Sequence, residues 1–325
     1  MCGAGPAPHA LMKGTSMKKV LATLCSMILA GVMLSACANN SSGKVRIALI
    51  MSHMSNSFTT TLANSAKEQG AAAGVSVTVF DGKKDASNQL NQIESAVSQG
   101  YKGIIVEPVS QEGVAPGLKA AKEADIPIIT VAQKAKQQER ASSFVGGDDT
   151  AAGKLEMEQA ISAMGGKGTV AVLYGPMGSD GQVLRKTGYD EVLKSHPDVT
   201  LAFQQTANWD TAEALKVTEN WLSTGKTINA IVAQNDSMAI GAQKAIDNAG
   251  KSQEIAVYGV DATDDGLNSI KSGGIDGTVS QDTAGMGRMA VDTVVSLING
   301  KSVEKVNYTK ATWITKENAD SVVVK

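Results

Sequence analysis

The sequence predicts an α/β protein organised as two similar doubly wound lobes, each a parallel sheet covered by helices. Three observations point there. Nine apolar runs of strand length recur from residue 45 onward, a helical pattern fills each interval between them, and one long polar interval, 133–150, breaks the alternation after the fourth run. Strand and helix in alternation specify parallel strands joined by right-handed crossovers. A single sheet of nine strands is large, so two sheets fit better.

The expected strands are VRIALIM (45–51), VSVTVF (75–80), GIIVEP (103–108), IPIITVA (126–132), TVAVLY (169–174), VTLAF (199–203), AIVAQ (230–234), IAVYGV (255–260) and GTVSQ (277–281). Each is short and nearly continuous in apolar character, as a strand buried on both faces requires. In the first helical interval Phe58, Leu62, Ala66 and Ala73 share a face, and Gly70 and Gly74 punctuate the end. Further helices are expected over 86–99, 112–124, 149–164, 181–194, 211–224, 237–249, 264–272 and 284–299. With 325 residues, 42% of them hydrophobic and 19% charged, the chain can build substantial cores.

The N-terminal segment reads differently. Met17-Lys18-Lys19 is a short basic start, and residues 20–34 form an apolar run of the length of a signal-peptide core rather than a membrane span. Met17 is read as the start, with 1–16 an upstream extension. The signal ends in LSACANN, which matches the bacterial lipoprotein box, so Cys37 is expected to be acylated and to begin the mature chain. The alternative is ordinary secretory cleavage at Ala36-Cys37-Ala38. Residues 37–43 then form a polar tether. Cys2, Cys25 and Cys37 all lie at or before this point, so the folded part is expected to rely on its core without disulfides. Lys13, Lys18 and Lys19 account for the basic residues up to position 36, which leaves 27 basic against 32 acidic residues beyond it. That balance disfavours nucleic acid as a partner.

In doubly wound sheets a ligand binds beyond the carboxyl ends of the strands. The residues there are 53–58, Glu107, Ala132-Gln133, 175–181, 208–210, Asn235-Asp236, 261–265 and Gln281-Asp282. Amides, carboxylates and the two aromatics Phe58 and Trp209 suit a polyhydroxylated ligand. Enzyme readings find little support: His196 precedes Pro197 in a surface loop, and His53 lacks a nucleophile partner or a G-x-S-x-G elbow. No catalytic residue is assigned. No His/Cys cluster has metal spacing, and GPMGSDG (175–181) lacks the Gly-Lys-Ser/Thr ending of a P-loop, so no metal and no cofactor is expected. The pairs Asp148-Asp149 and Asp264-Asp265 sit where helix N-caps belong. A repressor core would share the alternation, but a secretion signal occupies the place of its DNA-binding headpiece.

MSNSF after the first strand, then ANWDTAEA, AQNDSMAIGA, YGVDATDDG and GTVSQ, resemble the periplasmic sugar-binding proteins of the ribose-binding type, over essentially all of 44–325. The resemblance implies the periplasmic binding protein type I fold, with a three-segment hinge. Lobe one would comprise 44–147 and 282–311, and lobe two 148–281 and 312–325. It implies ligand contacts from Asn56 and Phe58 on lobe one and from Trp209, Asn235, Asp261 and Gln281 on lobe two and the hinge side. Secondary candidates are His53, Gln133, Asp148 and Arg185. Asp236 is expected to cap the helix beginning at Ser237 and support Asn235.

Departures from the ribose-binding pattern matter as much. Ala132-Gln133 replaces an Asp-Arg pair, Val183 replaces a ligand-binding Arg with Arg185 two positions on, and Thr59 replaces an aromatic. The cleft is therefore expected to have lost charge, which disfavours ribose. The implied function is a non-enzymatic, monomeric solute receptor of an ABC importer, periplasmic and lipid-anchored. It would bind a sugar, deoxysugar, polyol or cyclitol, with a membrane permease as partner. The rivals are a ligand sensor of the same fold and a sugar-modifying enzyme.

Overall fold

A computed structural model describes residues 1–5 and 43–322. The expected signal segment, Cys37 and nearly all of the tether lie outside the described residues. Residues Met1–Gly43 and Lys44–Lys325 are separate units, and the fold set out below belongs to the second.

The first sheet contains β1 (Arg46–Met51), β2 (Ser76–Asp81), β3 (Gly103–Val106), β4 (Ile128–Val131), β5 (Phe144–Gly146) and β11 (Val306–Tyr308), in the order β11-β5-β4-β3-β1-β2 and parallel throughout. The second contains β6 (Gly168–Tyr174), β7 (Val199–Thr206), β8 (Ala230–Ala233), β9 (Ala256–Asp261), β10 (Gly277–Ser280) and β12 (Thr312–Ile314), in the order β12-β10-β9-β8-β6-β7. There β12 runs antiparallel to β10 and the other pairs are parallel.

The first sheet is flanked by α1 (Ser57–Ala72), α2 (Ala86–Ser98), α3 (Ala115–Glu123) and α9 (Thr283–Ile298); the second by α4 (Asp149–Ala163), α5 (Asp180–Lys194), α6 (Thr211–Ser223), α7 (Asp236–Asn248) and α8 (Asp264–Ser272). Side chains alternate across a strand, so each central strand feeds two cores. Ile47, Leu49 and Met51 pack with Leu62 of α1 and Val291 of α9, whereas Ala48 and Ile50 pack with Ile93 of α2 and Leu118 of α3. On the second sheet Leu173, Ile231 and Ala233 meet Trp221 and Met238, while Val170, Val172 and Val232 meet Met157 and Tyr189. Covering both faces explains why β3, β4 and β8 are buried at every residue and read as continuous apolar runs.

Helix starts are set by short polar side chains. Asp85 accepts from Ser87 N and Asn88 N at 2.8 and 3.1 Å, and Asp210 from Ala212 N and Glu213 N at 2.9 and 3.0 Å. Such a cap is worth about 1 kcal/mol. The third expected helix begins at Ala115 rather than 112, with Pro116 in its first turn, where a missing N–H costs nothing.

The interval 133–150 is not a plain loop. It holds a short 3₁₀ turn, Gln138–Arg140, and β5, which pairs with β4 and β11. Three-residue strands such as β5, β11 and β12 are too short to show periodicity, and sheet pairing alone defines them. The chain passes between the two sheets three times: between β5 and α4, between β10 and α9, and between β11 and β12. Thr309 joins these passages, its N bonding Gly146 O at 2.8 Å and its Oγ1 bonding Gln281 O at 2.6 Å.

Candidate functional site

The carboxyl ends of both sheets face one cavity. Ends of β1, β3 and β4 bring His53, Asn56, Phe58, Thr59, Glu107, Ala132 and Gln133 to one wall; the second sheet brings Asp149, Gly181, Arg185, Trp209, Asn235, Asp261 and Gln281 to the other. Several of these residues hold the left-handed backbone region: Ala132 (φ 58°), Trp209 (φ 60°) and Asp261 (φ 125°). A non-glycine residue there costs of order 1–3 kcal/mol, and such strain concentrates at ligand sites.

Asn56 and Asn235 perform the same task on opposite walls. Asn56 Oδ1 accepts from Thr59 N and Asn235 Oδ1 accepts from Met238 N, each at 3.0 Å, so each caps the helix that follows its strand. With Oδ1 used in this way, each side chain keeps its Nδ2 as the donor it can offer the cavity. The cap of α7 is thus Asn235, not Asp236 as expected. Asp236 is fully buried and accepts from Thr263 N (2.8 Å), Thr263 Oγ1 (3.0 Å) and Thr278 Oγ1 (2.6 Å), tying the ends of β8, β9 and β10 together. Burial pushes its carboxyl up to about 6 against those bonds.

The other acidic pair also divides its work differently from the expectation. Asp148 is exposed, accepts from Ala151 N at 3.0 Å and caps α4, outside the cavity. Asp149, one residue on, is 2% exposed and faces the cavity. Its Oδ1 accepts from Arg185 Nε at 2.9 Å and Nη2 at 2.8 Å, and Arg185 Nη1 donates to the Gln234 carbonyl. Burial raises the Asp149 pKa while Arg185 opposes the rise.

The cavity is therefore not stripped of charge. Val183 is 39% exposed on the outer face of α5, whereas Arg185 is 6% exposed and lines the cavity. Arg185 is fixed because α4 and α5 approach closely: a Cβ on Gly153 would sit 2.8 Å from the Arg185 Cα. Behind it Glu156 accepts from the Tyr189 hydroxyl, and burial pushes Glu156 up to about 8.

On the first wall Glu107 is 3% exposed and its Oε2 accepts from Ser52 N (3.0 Å) and Ser52 Oγ (2.8 Å). Burial pushes Glu107 up to about 7 despite these bonds. His53 is held down at about 4 by burial and then by the nearby Lys84 charge. Its Nδ1 accepts from Ser55 N at 3.2 Å, so in the neutral ring the proton resides on Nε2. On the second wall Asp261 Oδ1 accepts from Gln281 Nε2 at 2.8 Å, and burial holds its pKa well above the usual range. Trp209 lies against Gly175, where a Cβ would overlap its indole, and the Arg185 guanidinium stands 5.6 Å from a Trp209 ring centroid. The turn Gly-Pro-Met-Gly admits positive φ at Gly178 (82°), as a strand-to-helix turn requires.

The walls also touch directly. Asp180 Oδ1 accepts from Gln111 Nε2 at 2.7 Å and its Oδ2 from Lys134 N at 2.9 Å; Lys84 Nζ donates to Asn208 O at 3.2 Å; and Ser57 Oγ bonds Asp265. These groups close the cavity mouth across the two sheets.

Of the sequence-stated candidates, Asn56, Phe58, Trp209, Asn235, Asp261, Gln281, His53, Gln133 and Arg185 line the cavity and Asp148 does not. Glu107 and Asp149 line it without having been put forward as ligand contacts. Glu107 had the signal of a strand end. Asp149 had none, since an Asp-Asp pair before a helix reads as capping. Among the described residues no group of three or more His, Cys, Asp or Glu is placed to hold a metal ion, and no helix is long and apolar enough to cross a membrane.

A family model described as a periplasmic binding protein domain matches residues 47–302. The xylitol-binding protein of Mycolicibacterium smegmatis is 35% identical over 240 residues, covering 74% of this chain and 68% of that one. The ribose import binding protein of Haemophilus influenzae is 32% identical, covering 88% and 96%. Among solved structures, an ABC transporter solute binding protein from Bacillus halodurans with bound myo-inositol superposes with a TM-score of 0.83 at 31% identity, covering 87% of this chain and 98% of that one.

Proposed function

The chain belongs to the periplasmic binding protein family, and from that premise we propose that it is the solute-binding protein of an ABC importer. It takes a small carbohydrate-like ligand, a sugar, deoxysugar, polyol or cyclitol, into the cavity between its sheets. The observation that carries this reading is the shared cavity with one aromatic on each wall, Phe58 and Trp209, and hydroxyl-reading groups between them. Two rings bury the C–H faces of a small ring or chain, while the Nδ2 groups of Asn56 and Asn235 and the Oδ atoms of Asp261 read hydroxyls. Relatives bind xylitol, ribose and myo-inositol by name, which supports a polyhydroxylated frame for the ligand.

The lobes exchange chain near Gly147, Gln281 and Thr312, giving 44–147 with 282–311 and 148–281 with 312–325. These three passages act as the hinge. A ligand touching both walls favours the closed arrangement because only there do Phe58 and Asn56 act together with Trp209, Asn235 and Asp261. The closed monomer then docks on a membrane permease. The relatives are transport binding proteins, and the protein carries out no reaction on its ligand. It works outside the cytoplasm, held to a membrane by lipid on Cys37.

A thermal-shift panel of xylitol, myo-inositol, D-allose, D-ribose and D-fucose tests the reading. A ligand at 100-fold its Kd raises stability by about 2.7 kcal/mol through mass action. If no member of the panel raises the melting temperature, the carbohydrate-like assignment is wrong.

A further inference from the structure

The cavity lining carries three carboxylates, Glu107, Asp149 and Asp261, and among the described residues one guanidinium, Arg185. That guanidinium is already committed, to Asp149 through Nε and Nη2 and to the Gln234 carbonyl through Nη1. Asp261 is met by the neutral amide of Gln281, and Glu107 by Ser52. Glu107 thus faces the cavity with neutral donors as its direct partners, whereas the Arg185 charge also acts on Asp261. Burying such a group is costly unless it takes up a proton or a counter-charge joins it. His53 supplies none, since its ring stays neutral, and Lys84 gives its Nζ to the Asn208 carbonyl.

A second observation is independent of charge. Gln133 is 9% exposed and lines the cavity beside Glu107, and its Oε1 is buried with no hydrogen-bond partner. An open acceptor therefore sits beside a carboxylate on one wall. A ligand hydroxyl brings one proton and can satisfy one of them. A primary ammonium brings three N–H donors and the missing positive charge.

We propose that the ligand carries a cationic amine on its polyhydroxylated frame, as an amino polyol, amino cyclitol or amino sugar, with the ammonium seated between Glu107 and Gln133. This rests on the carbohydrate-like reading of the cavity and adds the charge to it. Sugar acids and sugar phosphates are expected to bind worse than the amines for the same reason.

Isothermal titration of the mature protein with matched pairs decides the matter: myo-inositol against scyllo-inosamine, xylitol against 1-amino-1-deoxyxylitol, and glucose against glucosamine. In at least one pair the amine is expected to bind 10-fold or more tighter at pH 7.5. Glu107→Gln, nearly isosteric, is expected to weaken that amine at least 10-fold more than its neutral partner. At pH 6.5 amine binding is expected to release a proton, read as a heat that varies with the ionisation enthalpy of the buffer. Asp149, Arg185, Asp261 and His53 line the same cavity, so loss of this buffer dependence in Glu107→Gln assigns the proton to Glu107. If neutral partners bind as tightly as the amines in every pair, the amine inference is overturned and the carbohydrate reading stands. If no member of any pair binds, both fall.

Discussion

Arg185 and Asp149 form a buried ion pair in which Nε and Nη2 both reach the same carboxylate oxygen, at 2.9 and 2.8 Å. The two residues come from facing helices, α5 and α4, at the floor of the cavity. Removing either charge leaves the other buried and unpaired, which typically costs 3–5 kcal/mol. Arg185→Gln is therefore expected to lower unfolding stability by about that amount. Arg185→Gln with Asp149→Asn should recover much of it, without recovering ligand affinity. Urea unfolding of both variants checks the first statement and titration calorimetry the second.

Phe58 and Trp209 stand on opposite walls. If both cover one ligand, each is expected to contribute through apolar burial of roughly 1.5–3 kcal/mol. Trp209→Ala and Phe58→Ala should each weaken binding by about 10- to 100-fold at unchanged fold, as judged by circular dichroism. An unaltered Kd in Trp209→Ala would remove the stacking role.

Asp180 bonds Gln111 and Lys134 N across the two walls while lying outside the cavity lining. Hydrogen bonds to a charged group contribute about 1.5–3 kcal/mol each. Asp180→Ala is expected to shift the ligand-free protein toward an open form. Small-angle scattering should show a larger radius of gyration in Asp180→Ala without ligand and the same radius as wild type at saturation. Equal radii without ligand would mean that this contact does not hold the lobes.

Glu107 and Glu156 rise from 4.5 in the unfolded chain to about 7 and about 8 in the fold. An acid whose pKa is raised on folding binds more protons in the native state. Stability is then greatest below pH 4.5 as far as these two groups are concerned, and falls as pH climbs through 7 and 8. His53, lowered from 6.5 to about 4, works oppositely, stabilising above 6.5 and losing that stability as pH falls toward 4. Between pH 6.5 and 8 the two glutamates act in the same direction as Asp261, whose carboxyl burial holds well above its usual range. Urea unfolding should show declining stability across that window, on the order of a few kcal/mol. Glu156→Gln, which keeps an acceptor for Tyr189 and lies outside the cavity, should flatten the decline.

Much of this protein is legible in its residues. The two-sheet architecture follows from apolar runs that do not alternate, because strands covered on both faces have no polar side. The placing of ligand groups at strand ends follows from the crevice that parallel sheets leave there, and nine of the ten candidate contacts do line the cavity. The site's chemistry was less accessible wherever two neighbouring polar residues competed for one role. In Asn235-Asp236 and in Asp148-Asp149, either member can cap a helix on grounds of residue type. A step of one residue turns a helix face by about 100°, so the choice depends on which face the opposing elements leave buried.

For Asp236 that choice was made by Thr263, just after β9, and Thr278, within β10. For Asp149 it was made by Arg185, brought within bonding distance by the glycine contact between α4 and α5. The amino-acid order by itself determined the layers, the strand ends and the family of side chains offered to a ligand. Which carboxylates enter the cavity, and that they outnumber the guanidinium there, was decided by tertiary packing, because helix phase and close approach are properties of pairs of elements rather than of any one segment.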